Sequence, residues 1–165
     1  EPFRVENLKG YKDIKKFTLL NIAGAESIPT ARAFKKYLDE DVFDILQFDI
    51  ATSGFTEGRR ICDLAYIHNK PVAIHSWGSA ISIIAGIHFG LTVPNVAFTE
   101  YCFMDHPINK ELFENKKIKI SNGHTLKPNC IGLGVKFQDI LSKKFPYKEK
   151  INTMISTDNN NIKLK

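Results

Sequence analysis

Four ionisable residues, Glu26, Asp49, His75 and Glu100, each close a short apolar run, and they recur at intervals of 23, 26 and 25 residues. A histidine spaced in this way from carboxylates is a candidate for proton transfer. Its imidazole changes charge near neutral pH, and a neighbouring carboxylate fixes its tautomer and favours the imidazolium formed on proton uptake. His75 and Asp49, one interval apart, form the candidate pair. Many strands end in a polar residue simply because they reach the surface, and it is the register repeated over four runs that separates a site from that background. His68, His88, His106 and His124 stand at no such position and read as structural or surface histidines.

The runs and the segments between them predict the elements that hold these groups. Residues 17–23 (FTLLNIA) read as a buried strand, ended by Gly24 and followed by a loop at Pro29-Thr30 and an amphipathic helix over 31–38. Residues 42–50 (VFDILQFDI) read as a second strand, with Ser53-Gly54 and then a helix over 56–68. Residues 71–74 (PVAI) form a third, with a loop at Trp77-Gly78 and an apolar helix over 80–89; residues 96–99 (VAFT) run into Glu100. Strands alternating with helices require a parallel sheet, because a parallel crossover needs a dozen or more residues. The class is therefore α/β, and the four polar groups project from one edge of the sheet. In a (β/α)-barrel that is the C-terminal edge, where catalytic groups gather from different strands. Beyond Glu100 the period stops. Residues 118–126 (IKISNGHTL) predict a hairpin turned at Asn122-Gly123, residues 136–144 a last helix, and residues 146–165 a polar, Asn- and Lys-rich tail expected to be mobile.

Composition excludes several functions. With 43% hydrophobic and 25% charged residues the 165-residue chain can build a real core. Its net charge of +5 is spread along the chain without basic runs interleaved with aromatics, which argues against nucleic acid as a partner. Cys62, Cys102 and Cys130 are odd in number and in no CxxC pair, so reduced thiols in a cytoplasmic protein are expected, with neither a disulfide framework nor a zinc site. No window has the length and apolarity of a membrane helix, and no secretory signal is legible at the N-terminus. The first residues, Glu1-Pro2, suggest a chain that begins inside a longer product.

The stretches IAGAES, ILQFDIATSGFTEGRRICDLA, PVAIHSWGSAISIIAGIH, PNVAFTEY and IGLGVKFQD resemble, in order and spacing, the second half of the mandelate racemase subgroup of the enolase superfamily, over residues 1–145. The resemblance implies the C-terminal half of a (β/α)7β barrel, with the early strands and an N-terminal capping domain supplied from outside this chain. It implies a divalent cation, usually Mg²⁺, at the strand ends. Glu26 matches a metal-ligating carboxylate, Asp49 the partner of a catalytic histidine, His75 that histidine, and Glu100 the acid that hydrogen-bonds the substrate carboxylate or acts as an electrophilic acid. Ser76 and Trp77, which follow His75, are expected to contact substrate, although Trp77 could equally pack beneath its loop. Glu1-Pro2 matches the end of a Glu-Glu-Pro motif whose first Glu, a metal ligand, lies outside these residues, so further ligands are expected beyond this chain. Ser53-Gly54 stands where the subgroup commonly has Gly-Gly, a mild departure.

The implied chemistry is removal of a proton α to a carboxylate, giving an ene-diolate whose charge a metal offsets. Dehydration of a sugar acid (aldonate or aldarate) to a 2-keto-3-deoxy acid is the first expectation, and racemisation or epimerisation of a 2-hydroxy acid the second. A noncatalytic fragment, or one subunit of a split enzyme, is the third. The implied partners are a small-molecule carboxylate, the missing N-terminal half of the barrel, and further copies in a homo-oligomer.

Overall fold

The computed structural model describes residues 1–102, 107–112, 118–135 and 139–147. In chain order the elements are α1 (Leu8–Ile14), β1 (Ala23–Gly24), α2 (Ala31–Asp39), β2 (Ile45–Asp49), α3 (Ile50–Ile67), β3 (Val72–His75), α4 (Ala80–Gly90), β4 (Val96–Thr99), α5 (Pro107–Leu112), β5 (Ile120–Ser121), β6 (His124–Thr125) and α6 (Asp139–Lys144). The first four strands form one parallel sheet in the order β1-β2-β3-β4, and β5 and β6 form an antiparallel hairpin turned at Asn122-Gly123. Parallel strands paired in sequence order and joined by helices make a section of a (β/α)-barrel.

Strand alternation divides the sheet into a helix-facing side and a site-facing side. Leu46 and Phe48 of β2 are buried, and the Phe48 ring meets Phe89 of α4 edge-on with centroids 5.6 Å apart. Val72 and Ile74 of β3 are fully buried. The residues between them, Gln47, Asp49, Ala73 and His75, therefore share the opposite face. Packing on the helix side follows from spacing: Phe34, Tyr37 and Leu38 line the inner face of α2, and Ile61, Cys62 and Ala65 that of α3. Helix α2 starts where the Thr30 hydroxyl accepts from the Ala33 amide. Helix α4 is buried nearly all round, which its run AISIIAGIHF anticipates.

Three sequence expectations change. The first concerns residues 17–23, of which only Ala23 enters the ladder; Phe17, Leu19 and Leu20 are exposed. Strand β2 begins at Ile45, because Val42 turns back to bond Tyr37 of α2, so nothing upstream is there for residues 17–21 to pair with. The Leu20 amide bonds the Thr18 hydroxyl instead. The second is the strand expected over 42–50, which is confined to Ile45–Asp49, with Val42 and Phe43 buried as core rather than laddered. The third is the helix expected from residue 56. It starts at Ile50, because Asp49 caps it, and is broken at Gly54, whose φ of 68° is open to glycine at no steric cost. Helices α1 and α5 are additions: each is a short stretch without a clear apolar period. Of the last expected helix, residues 139–144 are helical and 136–138 lie outside the described residues, as does the tail from residue 148. No helix among the described residues is long and apolar enough to cross a membrane.

All three cysteines are free, and Cys62 lies in the core between α3 and the sheet. Burial pushes its thiol up to about 12, with the Asp63 charge adding to the effect and Arg59 opposing it. A thiol-specific reagent at pH 8 should label the partly exposed Cys102 and Cys130 and reach Cys62 only on unfolding, read by mass spectrometry of the labelled peptides. Above the ordinary thiol value of 9.0 the unfolded chain has released this proton while the folded chain retains it. The contribution of Cys62 to stability should accordingly fall as pH rises from about 9 towards 12.

Candidate active site

The β2–β3 ladder pairs Leu46 with Val72, Gln47 with Ala73, Phe48 with Ile74 and Asp49 with His75. The last rung brings the expected pair into contact: His75 Nδ1 lies 2.6 Å from Asp49 Oδ2. With Asp49 ionised, Nδ1 carries the proton and donates it to this bond, which leaves Nε2 as the atom free to exchange a proton. The other Asp49 oxygen, Oδ1, accepts from the Thr52 amide at 2.6 Å and so caps α3. One carboxylate thus ends a strand, starts a helix and orients an imidazole.

The remaining two expected carboxylates gather on Nε2. Glu26 Oε2 lies 3.3 Å away and Glu100 Oε2 3.8 Å away. Glu100 follows β4 and is carried there by its own amide, which donates to the Ile74 carbonyl. Glu26 follows a backbone turned by the left-handed Ala25 (φ 86°), whose amide is taken up by the Glu1 carboxylate. Side-chain exposure rises outward through the cluster, from 9% at Asp49 and 14% at His75 to 36% at Glu100 and 43% at Glu26. The two inner groups are held by each other and by the backbone, and the two outer ones face open space.

Ser76 and Trp77 part company. Ser76 is only 1% exposed, and alternation turns it to the helix side of the sheet, opposite His75. A Cβ built on Gly86 of α4 would stand 2.3 Å from Ser76 Oγ, so the hydroxyl is packed against the helix that this glycine lets approach. The expected contact of Ser76 with substrate is therefore not available from this placement. Trp77 is 62% exposed and sits beside Gly78, whose φ is 102°. Gln47 was not anticipated from the sequence: its Nε2 donates to Glu100 Oε1 at 2.6 Å. Its position two residues before Asp49, and so on the same strand face, is the signal by which the sequence could have revealed it.

Mg²⁺ takes near-octahedral oxygen ligands. Among the described residues no group of three or more His, Cys, Asp or Glu side chains is arranged to hold a metal ion. Asp49 and His75 are committed to each other, and Glu26 supplies one exposed carboxylate. These residues alone do not fit a Mg²⁺ site.

A four-stranded parallel section of a (β/α)-barrel, with an Asp–His pair and two further carboxylates at the C-terminal ends of its strands, has the layout of a barrel active site. The chain belongs to the family described as enolase C-terminal domain-like, which matches residues 1–140. It is similar to a D-galactonate dehydratase family member of Streptomyces bingchenggensis, 27% identical over 146 residues that make up 87% of this chain and 35% of that protein. It is also similar to the D-xylonate dehydratase of Haloferax volcanii, 29% identical over 136 residues, 82% of this chain and 33% of the relative. Among solved structures it resembles the 3,6-anhydro-D-galactonate cycloisomerase of Zobellia galactanivorans, at 32% identity and a TM-score of 0.77, covering 87% of this chain and 40% of the other. The chain thus spans 33–40% of the length of these relatives.

Because Asp49 caps α3, its removal should be felt in stability as well as at His75. Asp49→Ala is expected to cost about 0.5–2 kcal/mol in chemical denaturation, and Asp49→Asn, which keeps a capping oxygen, distinctly less.

Proposed function

We propose that the complete protein to which this chain belongs dehydrates a sugar acid, an aldonate or aldarate, to a 2-keto-3-deoxy acid. The observation that carries this reading is the Asp49–His75 contact, with Glu26 and Glu100 flanking the free imidazole nitrogen. The D-galactonate and D-xylonate dehydratase names of two relatives support the substrate class.

In this reading a hydroxy acid lies across the strand ends with its C2–H and C3–OH near His75 Nε2. The neutral imidazole takes the C2 proton at Nε2, the imidazolium so formed gives that proton to the C3 hydroxyl, which leaves as water, and the resulting enol tautomerises to the 2-keto acid. Asp49 holds the ring so that Nε2 faces the substrate and stabilises the charged ring while it carries the extra proton. Glu100 meets the substrate carboxylate or its enolic oxygen, and Trp77 walls the pocket. Glu26 would be the one carboxylate this chain offers to a divalent cation, whose other ligands would have to come from outside these residues and whose charge would offset that of the ene-diolate. The rest of the barrel would also cover the site-facing side of the sheet, where Phe98 of β4 is exposed.

A second reading of the same Asp49–His75 pair is racemisation or epimerisation of a 2-hydroxy acid, in which a proton returns to C2 and no hydroxyl leaves C3. The two are separated by product analysis. The complete protein, supplied with Mg²⁺ and a panel of aldonates and aldarates, should release a 2-keto-3-deoxy acid detectable as its semicarbazone. An inverted C2 centre with no keto acid would replace dehydration by epimerisation. His75→Asn should lower kcat at least about a hundredfold, as expected for loss of a general acid-base group. Full activity in that variant would remove the histidine from the mechanism.

A further inference from the structure

We propose that Gln47 is a positioning residue of this site, holding the Glu100 carboxylate so that Oε2 stays turned towards His75. The proposal rests on the reading of the site as one that transfers protons on a carboxylate substrate.

Gln47 and Glu100 belong to strands that are not neighbours. Gln47 lies in β2, and Glu100 follows β4, with β3 between them. Their 2.6 Å bond therefore spans a whole strand. The register explains how: Gln47 pairs with Ala73, and Ala73 pairs with Phe98, two residues before Glu100. The residue at the crossing carries a single methyl group, which leaves room for the longer Gln47 side chain to pass over β3 beneath His75.

The choice of an amide has an electrostatic reason. Three carboxylates already surround one imidazole. A lysine at this position would add a charge and compete for those carboxylates. A glutamine supplies a directional N–H at no cost in net charge, and its bond to an anion is of the stronger, charge-assisted kind. Among the described residues it makes the side-chain hydrogen bond that Glu100 has. A carboxylate held at one oxygen loses the rotation of its end group, which keeps Oε2 where it is. At 3.8 Å from Nε2 that oxygen is too far for a mutual hydrogen bond and near enough for both atoms to contact one substrate group. Preorganisation of this kind acts on the reacting geometry more than on binding.

The test is a double-substitution cycle on the complete protein. Gln47→Leu keeps the bulk and removes the donor; it should lower kcat about tenfold to a hundredfold with KM changed by less than about threefold. In a Glu100→Gln background the same substitution should cost less than about twofold, because the group through which it acts has already been altered. Gln47→Glu, which preserves shape and places a like charge against Glu100, should lose at least as much as Gln47→Leu. Equal losses in both backgrounds, or no loss in either, would overturn the proposal. The side-chain amide resonances of Gln47 give a readout independent of turnover. They should shift on Glu100→Gln, and their indifference would sink the bond itself. A protein that turns over no sugar acid but shows that shift would defeat the proposed function and leave the Gln47–Glu100 link standing.

Discussion

The arrangement of this site depends on the register between β2 and β3. Because the ladder runs Leu46–Val72 through Asp49–His75 without a slip, the last residue of one strand lies beside the last residue of the next. A slip of one residue would turn Asp49 or His75 to the helix side and replace it with Phe48 or Ile74. That register is secured away from the site. Leu46, Phe48, Val72 and Ile74 are all buried beneath α3 and α4, so any slip would expose the apolar set to the open face. The geometry of a polar pair is thus held by hydrophobic burial on the other side of the same strands. Asp49 then extends the constraint into α3 through its cap on Thr52, so the helix start and the imidazole orientation are fixed together.

How much of this was legible in the sequence follows from which forces leave local marks. Four apolar runs closing in Glu26, Asp49, His75 and Glu100 located the strand ends, since a βα unit has a nearly constant length and strands in register end along a common edge. The hairpin at Asn122-Gly123 was legible because its turn needs residues that tolerate positive φ, and both adopt it, at 50° and 74°. Residues 17–23 misled because an apolar run declares only that its side chains dislike water, while a strand also needs a partner, and β2 offers none upstream of Asp44. The start of α3 was missed because Asp49 has two employments and its spacing to His75 drew attention to one of them.

Ser76 and Gln47 make the same point in opposite directions. Proximity in sequence to His75 suggested Ser76 as a substrate contact, but adjacent residues on an extended chain face opposite ways, and Ser76 ends up sealed against Gly86. Gln47, 28 residues from His75 in sequence, shares its face because it lies two residues before Asp49 in a strand registered with β3. In a parallel sheet, alternation parity is therefore a better guide to membership of a site than nearness to a recognised residue.

Exposure and bonding divide the cluster further. Asp49 and His75, the least exposed, have their facing atoms bonded to each other, and the second Asp49 oxygen is bonded to backbone, so their positions are set by the fold before any ligand arrives. Glu100 is intermediate: one oxygen is bonded to Gln47 and the other is open. Glu26, the most exposed, approaches His75 at 3.3 Å from a loop whose backbone is held at Ala25 in the left-handed region. A group with both oxygens used can orient but cannot receive; a group with one free oxygen can do both. The gradient from Asp49 to Glu26 is in this sense a gradient from scaffold to contact. It accounts for a site in which one imidazole nitrogen is fixed from below while the other faces carboxylates able to take part in binding.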